Sequence, residues 1–206
     1  MSYSATVAKR ISAIMNPFPL TLVTLLIVTY AGSTNLGIFV RWAMVILLAF
    51  VIIPLAYVYV KNALVRHKGN SVQDPTAFFR AHRSQIWIVG IISAVMFIPL
   101  LVFFDIPLLL SATFVALLGT SLFTALINKC YKASFHLAIV TVLITVVILV
   151  WGRAVSPVLI IIPLVGWARY ALHQHSPYQL ASGFGLALVV TSASFYYFGL
   201  LENVGI

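Results

Sequence analysis

Hydrophobic positions in this chain come in unbroken runs and not in alternation. Apolar stretches cover residues 17–32, 36–60, 86–104, 106–127, 135–151, 155–172 and 180–201. Most of them approach the roughly 20 residues that a helix needs to cross about 30 Å of hydrocarbon, and the first is the weakest. Strands of an outer-membrane barrel would alternate apolar and polar residues, so continuous runs favour spanning helices. The pattern predicts an all-α fold, a polytopic transmembrane helical bundle of six to seven spans. Four of the breaks are very short: 33–35, Asp105, 128–134 and the Gly152-Arg153 pair. Breaks this short make successive spans antiparallel neighbours. The one long polar segment, 61–85, carries Gly69, Asn70, Asp74 and Pro75 in its middle and is expected to be a loop, with a short amphipathic helix over 75–83.

Composition narrows this further. Of 206 residues, 63% are apolar and 7% charged, which excludes a soluble domain of this size. Residues 1–206 are therefore expected to form a single integral membrane domain, with 61–85 as its polar loop. Lys9 and Arg10 precede a Pro-interrupted apolar run without a small-residue cleavage pattern, as a retained first helix would. Cys130 is the single cysteine, so it is expected to be a packed thiol and not half of a disulfide.

The net charge of +9 could suggest nucleic acid, but basic residues that flank apolar spans are better placed for anionic headgroups. Membrane lipids are the expected partners, and no nucleic acid. With seven alternating spans, Lys9, Arg10, Lys61, Arg66, Lys68, Arg80, Arg83, Lys129, Lys132 and Arg169 fall on one side, and only Arg41 and Arg153 on the other. The excess marks the first side as cytoplasmic and the location as a cell membrane.

Polar residues at membrane depth are costly, so those that occur there attract a functional reading. One cluster runs from Asn128 through Lys129, Lys132 and Ser134 to His136; if helical, Lys129, Lys132 and His136 share a face. The other runs from Arg169 through His173 and His175 to Gln179, with Ser176-Pro177 suited to a helix start. Together, 128–179 form the candidate site region. Two histidines, two lysines and an arginine without nearby carboxylates make an anion site, with neither metal nor cofactor. Phosphate suits it. Phosphoryl transfer through histidine needs a neutral imidazole as nucleophile, a second to protonate the leaving oxygen, and cations on the remaining oxygens.

On these residues the chain resembles the membrane-bound type 2 phosphatidic acid phosphatase superfamily. Its motif Ser-Arg-x5-His-x3-Asp is echoed by Ala168-Arg169, His175 and Gln179, and Pro-Ser-Gly-His by Ala133-Ser134-Phe135-His136. The 31 residues between His136 and Ala168 fit one helical hairpin, as in that family. A divergent prokaryotic branch is more similar still, through Tyr131-Lys132-Ala133-Ser134-Phe135-His136, His175-Ser176-Pro177-Tyr178-Gln179 and His67-Lys68-Gly69 through Asp74. The resemblance implies that His175 forms a phosphohistidine and His136 serves as acid. It implies that Lys129, Lys132, Ser134 and Arg169 hold the phosphate of a lipid phosphate or prenyl diphosphate. The chain departs from the family at three points: Gln179 replaces the Asp that orients the nucleophile, Ala168 replaces a Ser, and no Arg-Pro pair occurs. A catalytically degenerate relative, serving as a lipid-binding or structural subunit with a membrane-complex partner or as a homo-oligomer, is the alternative. An intramembrane prenyl transferase lacks its clustered aspartates here, since Asp74 and Asp105 stand apart. A transporter is disfavoured because no acid lies inside a span.

Overall fold

A computed structural model describes residues 3–66, 95, 98–99 and 104–201. All regular structure among the described residues is helical. The helices are α1 (Tyr3–Ile14), α2 (Pro17–Gly32), α3 (Leu36–Leu47), α4 (Ile53–Arg66), α5 (Leu108–Ile127), α6 (Phe135–Trp151), α7 (Ile161–Ala171) and α8 (Pro177–Tyr197). A π-helical turn, Leu48–Ile52, joins α3 to α4, and a 3-10 stretch, Gly152–Ile160, leads into α7. The expected loop over 67–85, its amphipathic helix at 75–83 and most of the run 86–104 lie outside the described residues.

The polar loop does not begin at Lys61: α4 continues to Arg66. Residues 61–66 contain no breaker, and Lys, Ala, Leu and Arg all favour helix. Pro54 lies just after the π turn; in a regular α-helix its ring would collide with the carbonyl four residues back, and the wider turn accommodates it. Asn35 starts α3, its side chain accepting the Ile38 N–H at 2.9 Å. These elements belong to one compact unit, Ser33–Ile106; the other comprises Met1–Gly32 with Pro107–Ile206.

The second unit is organised around α6, which packs against α2, α5, α7 and α8. Ser134 caps α6 by accepting the Leu137 N–H, and Gly152 ends it at φ 72°, a conformation that glycine adopts without strain. The apolar stretch Phe135–Ala171 is one helical run of 37 residues by composition, but the chain folds back at Gly152. A straight helix would separate Leu137 from Gly166 by about 43 Å; instead a Cβ on Gly166 would lie 3.9 Å from Leu137 Cδ2. The predicted hairpin between His136 and Ala168 is therefore present. Its returning arm is 3-10 first and α-helical from Ile161, with Pro157 inside the 3-10 portion.

Side-chain contacts fix the direction of the other helices. A Cβ on Gly32 would lie 3.1 Å from Leu109 Cβ and 3.3 Å from Pro107 Cβ, so α2 ends where α5 begins. Ser194 donates to the Ala112 carbonyl at 2.7 Å, bringing the end of α8 to the start of α5. The Ser134 N–H donates to the Gln179 carbonyl at 3.0 Å, joining the starts of α6 and α8. Leu137, Val140, Ile144, Val165 and Leu180 form a buried cluster against which Ile11, Met15 and Leu20 pack. Buried Thr24, Thr113 and Thr141 hydroxyls donate to carbonyls four residues back in their own helices.

The outer faces are apolar: Leu122, Phe123 and Leu126 on α5, Leu188 and Val189 on α8 are all exposed. Four stretches are long and apolar enough to cross a membrane: Leu36–Tyr57, Leu108–Ile127, Phe135–Ala171 and Pro177–Tyr197. The pair α1 and α2, bent by 44° at their break, makes a fifth if it is one span.

Candidate anion site

The polar residues singled out in the sequence meet at one end of the second unit. Asn128 closes α5, and hydrogen-bonded turns carry the chain to Tyr131. Residues 132–134 are not helical, and α6 starts at Phe135. Lys129, Lys132 and His136 therefore do not share a helical face; the cap at Asn128 and the new cap at Ser134 interrupt the helix that would have aligned them. Cys130 is exposed in this turn and is not the packed thiol its apolar character suggested.

On the other strand of the site, α7 ends in a Schellman motif. The His173 N–H donates to Tyr170 O, and the Gln174 N–H to Arg169 O at 3.1 Å, with His173 left-handed at φ 53°. Ser176 then caps α8 in a reciprocal capping box with Gln179, and Pro177 sits at the first turn, where its missing N–H costs nothing. The expected helix start at Ser176-Pro177 is the observed one.

Gln179 has a second task. Its Oε1 accepts the Ser176 N–H at 3.1 Å and lies 3.2 Å from His175 Nδ1. A backbone N–H can only donate, which identifies the Gln179 atom as oxygen, and an amide oxygen can only accept. His175 Nδ1 therefore carries the proton and Nε2 keeps its lone pair. Burial, reinforced by the Arg169 guanidinium and the Lys132 ammonium, holds the His175 imidazole below its ordinary 6.5, while hydrogen bonds with Gln179 and the Lys132 backbone oppose the shift. At neutral pH the ring is an uncharged base.

Arg169, in the last turn of α7, lies within electrostatic reach of both His136 and His175. Its Nη1 donates to Ser12 Oγ at 2.8 Å. Its Nε is buried without a hydrogen-bond partner. The Ser12 carbonyl accepts from His136 Nε2 at 3.2 Å, which fixes that tautomer also.

Arg169, His136, His175, Lys132 and Gln179 are thus gathered. Ser134 is not available in the same way: it is fully buried, and its hydroxyl caps α6. A Cβ on Gly183 would meet Ser134 O at 2.6 Å, so α8 lies directly on this turn. Lys129 is exposed on the turn. Sequence reasoning missed Ser12. Its signal is positional, since Ala5, Ala8, Ser12 and Met15 recur at helical spacing on the face of α1 turned inward.

A shallow, open apolar groove of about 240 Å³ lies beside the cluster, lined by Leu137, Ile162, Pro163, Gly166, Leu180, Ala181 and Phe184. No protein-family model, curated protein or solved structure matches the chain.

Proposed function

We propose that the chain is an integral membrane protein of the lipid-phosphate phosphatase type, hydrolysing a lipid phosphate or prenyl diphosphate. The observation that carries this reading is the His175–Gln179 pair beside Arg169, which keeps the His175 proton on Nδ1. His175 Nε2 attacks phosphorus, the bond to the leaving oxygen breaks, and His136 Nδ1, unprotonated in the resting site, takes the acidic proton of the phosphate monoanion and delivers it to that oxygen. Water then attacks the phosphohistidine, releasing inorganic phosphate and restoring the imidazole. Arg169 and Lys132 neutralise the oxygens during both transfers. The adjoining groove is shallow and open but lined by apolar side chains, which is compatible with a substrate that has a hydrocarbon portion.

The reading includes seven spans with the site on the cytoplasmic face. The apolar outer surfaces support it, as does the hairpin at Gly152, which turns the stretch Phe135–Ala171 into two crossings. The remaining two spans of the reading are the apolar runs 36–60 and 86–104, taken from hydropathy alone. The sole cysteine, exposed in the turn at the site end, reports sidedness: a membrane-impermeant maleimide reaches Cys130 in inverted vesicles and not in intact cells.

Phosphate release from phosphatidic acid and from a prenyl diphosphate, by purified protein and by His175→Ala, tests the chemistry. The proposal expects release by the first protein alone, with an acid-labile phosphoryl label on His175; equal release by both ends it. The neutral Gln179 favours a second reading, a degenerate relative that binds lipid phosphate without turnover. In that case neither protein releases phosphate, while Arg169→Ala weakens binding of phosphatidic acid.

A further inference from the structure

Helix α1 meets the site at one residue, and that residue touches two of its groups through two atoms. The Ser12 hydroxyl accepts from Arg169 Nη1 at 2.8 Å, and the Ser12 carbonyl accepts from His136 Nε2 at 3.2 Å. Packing holds Ser12 there: Ala8, one turn earlier, is fully buried, Ile11 and Met15 lean on the Leu137 and Val165 cluster, and α1 lies along α7. Lys9 and Arg10 stand on the opposite, exposed face of α1.

The consequence for Arg169 follows from guanidinium geometry. Nη1 lies away from the edge that carries the Nε and Nη2 hydrogens, the edge that grips an oxyanion with two parallel bonds. Ser12 occupies Nη1 and leaves Nε buried without a partner. A buried N–H without an acceptor is costly, and an arriving oxyanion satisfies it. An untethered arginine would also lose rotamer freedom on binding. For His136, an acceptor on Nε2 keeps the proton there and leaves Nδ1 as the unprotonated nitrogen. Among the described residues, none of the groups in the cluster is a carboxylate.

We propose that Ser12 is a positioning residue of the anion site, so that α1 is a working part of the site as well as its cover. This rests on the phosphate-binding reading above and deepens it. The hydroxyl presets the Arg169 edge for phosphate, and the carbonyl presets the His136 tautomer.

The test measures inorganic phosphate binding by the full-length protein in detergent, for the unaltered chain, Ser12→Ala, Ser12→Thr and Arg169→Ala. Arg169→Ala checks the underlying site, and unchanged binding in that variant removes the anion-site reading altogether. Given a loss there, Ser12→Ala weakens phosphate binding about 3- to 10-fold, the size of one hydrogen bond to a charged group discounted for partial replacement by water. Ser12→Thr restores the hydroxyl and most of the affinity. The ¹⁵N shifts of His136 keep the Nε2–H tautomer in Ser12→Ala, because the carbonyl remains; a merely disordered α1 would lose it. Unchanged or tighter binding by Ser12→Ala, with Arg169→Ala still defective, overturns the proposal and makes α1 a plug that phosphate must displace.

Discussion

Replacing Gly183 by alanine is the sharpest mechanical test of how the site end is built. A Cβ at this position would lie 2.6 Å from Ser134 O and 3.3 Å from both Ser134 C and Ser134 N. All three are backbone atoms of the turn that caps α6, so no rotamer change relieves the clash. Ordinary contact requires α8 to withdraw by roughly 0.8 Å, and overpacking of this kind costs about 1–3 kcal/mol. The same withdrawal stretches the Ser134 N–H bond to Gln179 O, now 3.0 Å, which adds about 1 kcal/mol. Alanine's better helix propensity returns about 1 kcal/mol, leaving a net loss of about 1–3 kcal/mol. Gly185, on the same helix, has open space where its Cβ would be. Gly185→Ala should therefore stabilise by up to about 1 kcal/mol through propensity alone. Thermal unfolding in detergent, followed by circular dichroism, compares the two. Opposite signs are expected; a Gly183→Ala protein as stable as the original refutes the close approach of α8 to the Ser134 turn. Because Gln179 moves with α8, the surviving folded Gly183→Ala protein should also bind phosphate more weakly.

Other outcomes follow from the same contacts. His173→Gly should stabilise by about 0.5–1 kcal/mol, since it removes a left-handed non-glycine residue from the Schellman motif while keeping both backbone bonds, and the unfolding midpoint should rise. His175 sits below its ordinary 6.5, so the unfolded chain takes up that proton first as pH falls. Its contribution to stability is complete above 6.5 and is lost as pH falls through the folded value, and the acid limb of phosphate release should likewise lie below 6.5. Gln179→Glu keeps an oxygen for Ser176 and His175 and adds a charge, favouring the imidazolium by about 1 kcal/mol. That substitution should move the acid limb upward and raise release about 5- to 10-fold; a downward shift contradicts the assigned His175–Gln179 bond.

Several local features were legible because they depend on neighbours in sequence. Ser176-Pro177 with Gln179 three residues after the cap specifies a helix start by itself, and the structure shows that capping box. Gly152 marks the reversal between two apolar runs for the same reason. Two expectations gave way at the turn between α5 and α6. Lys129, Lys132 and His136 read as one helical face, but caps at Asn128 and Ser134 break the helix between them. Ser134 reads as a phosphate ligand, but its hydroxyl is buried as a cap beneath α8.

The sequence by itself determined that this chain is helical, that its helices are apolar on nearly every face, and which few polar residues had to be accounted for. Periodicity, hydropathy and capping chemistry act over a handful of residues, so they can be read in one dimension. Only the tertiary structure decided that α1 folds against α7 and places Ser12 between Arg169 and His136, 157 and 124 positions away along the chain. That arrangement comes from the packing of Ala8, Ile11 and Met15 on α7 and the core cluster, and side-chain packing between helices leaves no local trace in the order of residues.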